Sequence, residues 1–143
     1  MLFGKKKRAI VRLLIVEDEP LIAFDAEHLL VDAGYEIVAT VDRVADAVAT
    51  IDSGESIDLV LVDISLADGS GLDVAHAARR TGIRVLFVTG EFPSEARSLA
   101  DGSLAKPYQQ RDLLLAIEAI EAVIGGKAPK RVPAGFTLFR DAA

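Results

Sequence analysis

Four short apolar runs, each ended by a polar residue, constrain this chain more than any other feature. Glu17-Asp18 follows the run 11–16, Asp63 follows 57–62, Thr89 follows 84–88, and Lys106-Pro107 follows 102–105. A brief run rich in Val, Ile and Leu reads as a strand buried on both faces, the kind that parallel sheets use. In an open α/β sheet, ligands bind just outside the carboxyl ends of the strands. The four fragments are therefore expected to meet at one edge, as three carboxylates, a hydroxyl and an ammonium around one pocket. Three clustered carboxylates repel one another unless a divalent cation sits among them. The pattern reads as a magnesium site with a lysine and a threonine beside it, a set suited to phosphoryl chemistry.

Between these runs the sequence alternates strand and helix five times. Pro20 suits the opening turn of a first helix, Ile22, Ala26, Leu29 and Ala33 repeat on one helical face, and Gly34 stands where helices end. A second strand is expected over 35–41 and a second helix over 44–51, stopped by Ser53-Gly54. Gly69-Ser70-Gly71 reads as a loop before a third helix over 72–80, closed by Gly82. A shorter helical piece over 94–100 precedes a brief fifth strand near 103–105. The last helix, roughly 110–124, carries Leu113, Ile117, Ile120 and Ile124 on one stripe and ends at Gly125-Gly126. Five such units imply an α/β fold: a doubly wound five-stranded parallel sheet in the flavodoxin-like order 2-1-3-4-5, with helices on both faces as a three-layer sandwich. In that order the first and third strands are neighbours, so Glu17-Asp18 and Asp63 emerge side by side. Residues 1–9 are expected to be a basic tail, 10–125 the domain, and 126–143 a loosely held tail despite its apolar cluster Phe136-Thr137-Leu138-Phe139.

Composition narrows the chemistry. The 143 residues contain no cysteine, which excludes disulfides, thiolate ligands and cysteine catalysis. Apolar residues make up 51% of the chain, yet no run approaches the roughly 20 residues of a membrane span. The amino-terminal basic run lacks the apolar core of a secretion signal, so a cytoplasmic location is expected. A net charge of −6 argues against a broad nucleic-acid-binding surface. Lys5-Lys6-Lys7-Arg8 is the exception; it reads as a solvated tail, the alternative being contact with a membrane surface or an acidic partner. His28 and His76 are too few and too far apart for a histidine metal site.

Together, these residues resemble the receiver domain of bacterial two-component response regulators. The resemblance rests on Glu17-Asp18 within Leu14-Ile15-Val16-Glu17-Asp18-Glu19-Pro20, Asp63 within Leu61-Val62-Asp63-Ile64, Gly71 eight positions on, Thr89-Gly90, and Lys106-Pro107. It implies that Asp63 is the phosphoacceptor, that Thr89 and Lys106 contact the phosphoryl group, and that Glu17, Asp18, Asp63 and the backbone carbonyl of Ser65 hold Mg2+. It also implies a cis peptide before Pro107. The implied partners are a sensor histidine kinase or histidine phosphotransferase, with other response regulators or a downstream regulatory protein receiving the signal. Such a domain is not an ordinary enzyme; it catalyses its own phosphorylation and dephosphorylation. The residue chemistry agrees. Magnesium favours carboxylate, carbonyl and water ligands, an aspartate can form an acyl phosphate, and an ammonium suits a phosphoryl oxygen.

Each fragment alone has an ordinary structural reading: acids at a helix start, a Lys-Pro turn, a threonine cap. Their joint spacing favours the site. A dinucleotide-binding fold would need G-x-G-x-x-G where Glu17-Asp18-Glu19-Pro20 stands. An interaction module that works without phosphorylation is the alternative from another class. The chain departs from most receivers between its fourth and fifth strands. Thr89 and Lys106 lie 17 positions apart, so the fourth helix must be short or irregular. Ser103 stands where many receivers carry a switch aromatic. Leu86-Phe87-Val88-Thr89-Gly90 followed by Lys106-Pro107-Tyr108 is similar to the alphaproteobacterial subgroup known by its Phe-Ala-Thr-Gly motif, with Val88 in place of the alanine. Members of that subgroup are typically single-domain regulators, and no DNA-binding output domain is expected here.

Overall fold

The computed structural model describes residues 8–139. Lys5, Lys6 and Lys7 of the basic run, and the last four residues, lie outside the described residues. The elements run in chain order as β1 (Arg12–Val16), α1 (Pro20–Asp32), β2 (Glu36–Val41), α2 (Val44–Asp52) and β3 (Leu59–Val62). A small hairpin follows, β4 (Ser65–Leu66) and β5 (Gly69–Ser70), then α3 (Gly71–Arg80), β6 (Arg84–Thr89), a 3-10 stretch (Ser94–Leu99), β7 (Gly102–Ala105), α4 (Gln110–Ile124) and β8 (Phe136–Leu138).

The main sheet has the order β2-β1-β3-β6-β7-β8. With the hairpin set aside, its first five strands are the expected 2-1-3-4-5, and they pair in parallel. Side chains alternate across each strand, which splits the core into two halves. Leu13 and Ile15 of β1, Leu59 and Leu61 of β3, and Leu86 and Val88 of β6 pack against α1 and α4. Their neighbours Leu14, Val16, Val60, Val62, Val85 and Phe87 pack against α2 and α3. Burial on both faces explains why these strands read as continuous apolar runs rather than as alternating ones.

Local chemistry sets the helix starts. Pro20 opens α1 at its first turn, where a missing N–H costs nothing. Ser70 accepts a hydrogen bond from Leu72 N at 3.1 Å and caps α3. Helix α2 has no cap of its own. Asp68, in the turn between β4 and β5, accepts from Val44 N at 2.7 Å and Ala45 N at 3.2 Å instead. Those bonds lower the Asp68 pKa and tie the hairpin after Asp63 to the start of α2.

Three details differ from the sequence-based expectations. The buried face of α1 is Ala23, Ala26 and Leu30, with Ile22, Leu29 and Ala33 half-buried beside it. Gly69-Ser70-Gly71 is not a plain loop: Gly69 and Ser70 form β5, and Gly71 is the first residue of α3. The third difference is the carboxyl-terminal segment, which is not loosely held. Phe136–Leu138 joins the sheet antiparallel to β7, pairing Leu104 with Phe136, Ser103 with Thr137 and Gly102 with Leu138. Phe136 and Phe139 are buried. Each is worth roughly 1.5–3 kcal/mol when withdrawn from water, enough to hold an edge strand of three residues. Gly102 makes room for this, since a Cβ there would stand 2.7 Å from the Phe136 ring.

The fourth crossover is irregular, as its length required. The six residues from Ser94 to Leu99 are wound as a 3-10 helix. At about 2.0 Å rise per residue rather than 1.5 Å, a short link returns farther along the sheet. Phe139 packs on it from the far edge: its ring lies 5.1 Å from Phe92, and the Arg97 guanidinium stacks over it at 4.8 Å.

Candidate functional site

Sheet register brings the expected residues to one edge. Val16 pairs with Val62, and Val62 with Phe87. The residues just past them, Glu17 and Asp63, are anchored by Glu17 N to Val41 O at 2.9 Å and Asp63 N to Val16 O at 3.1 Å. Thr89 ends β6 opposite Ala105, and its carbonyl accepts from Lys106 N at 3.0 Å. The hydroxyl residue and the lysine are thereby fixed to each other through adjacent strands. The Lys106–Pro107 peptide is cis.

Glu17, Asp63 and Thr89 are buried, and Asp18 is half-buried. Carboxylate oxygens of Glu17, Asp18 and Asp63 all lie within 4.8 Å of one another. Lys106 Nζ donates to Asp63 Oδ2 at 2.7 Å and lies 2.8 Å from Glu17 Oε1. It also donates to Glu19 Oε2 at 2.8 Å. One ammonium thus serves three carboxylates. Ser65 N donates to Asp63 Oδ1 at 3.2 Å, so both oxygens of that aspartate are held.

The electrostatics are lopsided. Burial works against charge on Lys106, but hydrogen bonds to Asp63, Glu17 and Glu19 outweigh it and hold its pKa above the usual lysine range. Burial also pushes the Glu17 carboxyl upward, and its bond to Lys106 offsets only part of that rise. The ammonium is firmly charged, while the acidic cluster around it is undercompensated.

Gly71 is a further part of the site. A Cβ at this position would stand 2.1 Å from the backbone oxygen of Asp63 and 2.9 Å from its carbonyl carbon. Gly71 N also donates to Ile64 O at 2.7 Å. Helix α3 therefore starts against the backbone that presents Asp63.

Sequence reasoning passed over Glu19. Its one signal was spacing: it stands two residues past Glu17 in the same turn, where Glu17 Oε2 accepts from Glu19 N at 3.1 Å. Tyr108 is half-buried and packs against the α1–α4 half of the core. Burial raises its pKa. With Lys106, Pro107, Glu19, Ile22 and Asp25 it lines a groove of about 430 Å3 leading to the site. Ser103 is buried and paired with Phe87 and Thr137, leaving no aromatic at that position. His28 is exposed and stacked on Phe24 at 4.1 Å.

Comparison with known proteins agrees with this geometry. Residues 13–118 match the response regulator receiver domain family. The chain belongs to that family. It is 36% identical over 102 residues to the phyllosphere-induced regulator PhyR of Methylorubrum extorquens, covering 68% of this chain and 38% of that protein. It is 30% identical over 112 residues to the TorCAD operon transcriptional regulatory protein TorR of Escherichia coli, covering 74% of this chain and 48% of the relative. This receiver thus spans half or less of those relatives' lengths. Among solved structures, a CheY-like receiver domain protein from Methanospirillum hungatei aligns with a TM-score of 0.67 and 31% identity, over 76% of this chain and 90% of that one. A receiver protein from Sinorhizobium medicae aligns at 0.68 and 28%, over 78% and 94%. No helix among the described residues is long and apolar enough to cross a membrane.

Proposed function

We propose that this receiver takes a phosphoryl group from a phosphohistidine onto Asp63 in a Mg2+-dependent reaction, and signals through protein contacts or onward phosphate flow. One observation carries the reading: Lys106 Nζ bridges Asp63 and Glu17 while Asp18 closes an acidic cluster around the same point. A structural ion pair needs one carboxylate per ammonium, and this site has four acids around one lysine. The excess of hard oxygen donors fits a divalent cation of the magnesium type. Glu17, Asp18 and Asp63, with the backbone carbonyl of Ser65, would hold it. Bound there, it would neutralise charge on the transferring oxygens.

The chain's own residues supply the rest. An Asp63 oxygen attacks phosphorus, a P–O bond forms as the P–N bond of the donor breaks, and the imidazole leaves with the electron pair. Lys106 passes its hydrogen bond from Asp63 Oδ2 to a phosphoryl oxygen. Thr89 donates its hydroxyl to the phosphoryl group, and exposed Gly90 beside it leaves the approach open. Leu21 and Phe24, exposed on α1 just after the acidic turn, offer an apolar landing for the donor protein.

Incubation with acetyl phosphate or a cognate kinase, with and without Mg2+, tests the proposal by intact mass. One phosphoryl group is expected on the wild type and none on Asp63→Asn. Equal labelling of that variant would displace the acceptor assignment. No labelling of the wild type by any donor would leave the interaction module that works without phosphorylation.

A further inference from the structure

Charge in this chain is segregated along the sequence. Residues 10–125 hold 21 of the 22 acidic side chains but only eight of the 16 basic ones, a balance of −13. Residues 1–9 and 126–143 hold the other eight basic side chains and one acid, a balance of +7. Were the basic residues only solvated tails, the fold would have no reason to collect them. It does collect the four that lie among the described residues: Arg8, Lys127, Lys130 and Arg131 line one groove of about 450 Å3, floored by Leu115, Ala119 and Ala122 of α4. Lys7, Lys6 and Lys5 directly precede Arg8 in the chain.

Acids nearby are already engaged. Glu121 accepts from Ile10 N at 2.9 Å, Asp58 accepts from Val11 N and Arg12 N, and Asp101 accepts from Val85 N and pairs with Arg84. Glu36 and Glu55 are paired with Arg12. Glu118 and Glu121 are the two carboxylates on the groove wall, against four cations, and Glu121 is already tied to the Ile10 backbone. Among the described residues, no ion pair holds any of the four. Val132, directly after Arg131 in the chain, is 52% exposed, so an aliphatic side chain adjoins the basic residues.

We infer that this groove is a docking surface for an anionic lipid bilayer. A cluster of four or more Lys or Arg beside an exposed aliphatic residue suits an anionic headgroup layer, which attracts the cations and accepts Val132 at shallow depth. A nucleic acid would gain little from Val132, and an acidic protein would have to match a groove wall that carries Glu118 and Glu121. The body's negative charge does not forbid contact. Lys127, Lys130 and Arg131 follow the carboxyl end of α4, whereas Lys106 and Pro107 precede its amino end, 15 helical residues away. The basic residues and the acidic edge therefore flank α4 from opposite ends. Docked this way, the domain holds its acidic edge away from the bilayer, open to a partner.

The test is co-sedimentation of the full chain with vesicles of phosphatidylcholine alone or with one-third phosphatidylglycerol. Binding to the anionic vesicles only, lost by 0.5 M salt, is expected. The triple variant Lys127→Gln, Lys130→Gln, Arg131→Gln removes three exposed charges without touching the core. At about fivefold per residue, it should bind on the order of a hundredfold more weakly. Circular dichroism and phosphate uptake in solution should be unchanged in that variant, which separates this inference from the function proposed above. Equal binding to both vesicle types, equal binding by the variant, or binding to a DNA duplex without binding to anionic vesicles would each overturn it.

Discussion

Gly71→Ala probes the site through its backbone. Gly71 has no need of glycine's left-handed freedom, so only space is at stake. The added methyl carbon would lie 2.1 Å from Asp63 O, 2.9 Å from Asp63 C and 3.0 Å from the Ile64 Cα. A carbon does not approach a carbonyl oxygen closer than roughly 3 Å, so the start of α3 or the Asp63 backbone must move by about 1 Å. Neither yields easily. Gly71 N is bonded to Ile64 O, Ser70 caps the helix, and Val74, Ala75 and Ala78 are fully buried against the sheet. Overpacking of this kind costs about 1–3 kcal/mol, or roughly 3–10 °C of melting temperature for a domain of this size. The shift also moves Asp63, the proposed nucleophile, and a misplacement of about 1 Å can slow a reaction on the order of a hundredfold. Calorimetry and the rate of phosphoryl uptake should therefore fall together. Gly125→Ala is the control, because a Cβ there meets nothing closer than 3.6 Å and the residue lies past the end of α4, away from the site. Melting and uptake of Gly71→Ala equal to that control would refute the claim that α3 starts in steric contact with the site.

Four further outcomes are expected. In EDTA, Lys106→Met should destabilise by about 3 kcal/mol, because it strands Glu17 and Asp63 without their cation; saturating Mg2+ should restore part of the loss in thermal melts, and failure to do so would count against the metal reading. Glu17→Gln with Asp18→Asn should weaken Mg2+ binding in titration calorimetry while leaving metal-free stability equal or higher, since burial already disfavours charge on Glu17; unfolding of that variant would instead indicate a structural role. Burial pushes Tyr35 up to about 12 from 10.0, so its contribution is complete below pH 10 and lost as pH rises through 12; denaturant midpoints of the wild type should fall more steeply than those of Tyr35→Phe across that window. Phe136→Ala should cost about 3 kcal/mol and free the β7 edge to hydrogen exchange, whereas unchanged protection of Ser103 would mean β8 adds nothing.

The strands and the site residues were legible because each depends on a short stretch of sequence. Burial on both faces demands an unbroken apolar run, and the polar residue ending it is the one the sheet edge exposes. Asp63, Glu17 and Lys106 could thus be named before any contact was known. The contacts themselves were not legible. That Lys106 serves Glu19 as well as Asp63 and Glu17 depends on where the turn after β1 places a carboxylate, which spacing alone does not determine. Asp68 capping α2 is a bond between two loops 24 residues apart. The α1 stripe missed Leu30 because a helix packed on the sheet and flanked by α4 buries a wider arc than a single i, i+4, i+7 row.

The carboxyl-terminal segment was misread for an instructive reason, and it bears on how a signal leaves the site. Phe136-Thr137-Leu138-Phe139 has two prolines and a glycine upstream and no strand of its own kind nearby in sequence, so local propensity favours a tail. Its partner is an exposed sheet edge, a property of the fold alone. Ala105 N donates to Gly135 O at 2.9 Å, one residue before Lys106, and Phe139 stacks on Phe92 and Arg97 across the irregular crossover. The strand therefore links the carboxyl ends of β6 and β7, where phosphoryl contact is proposed, to the segment 90–100, in a chain whose Ser103 has no ring to rotate. Phosphorylation that draws in Thr89 should register as exchange and chemical-shift changes concentrated in residues 89–108. Because β8 and Phe139 pack on that stretch, the changes should extend to 135–139. NMR with and without a phosphoryl mimic decides this. A segment 89–108 that stays unchanged would exclude the crossover as the responsive element, and a change there that stops short of Phe139 would show that the edge strand is a passive cover.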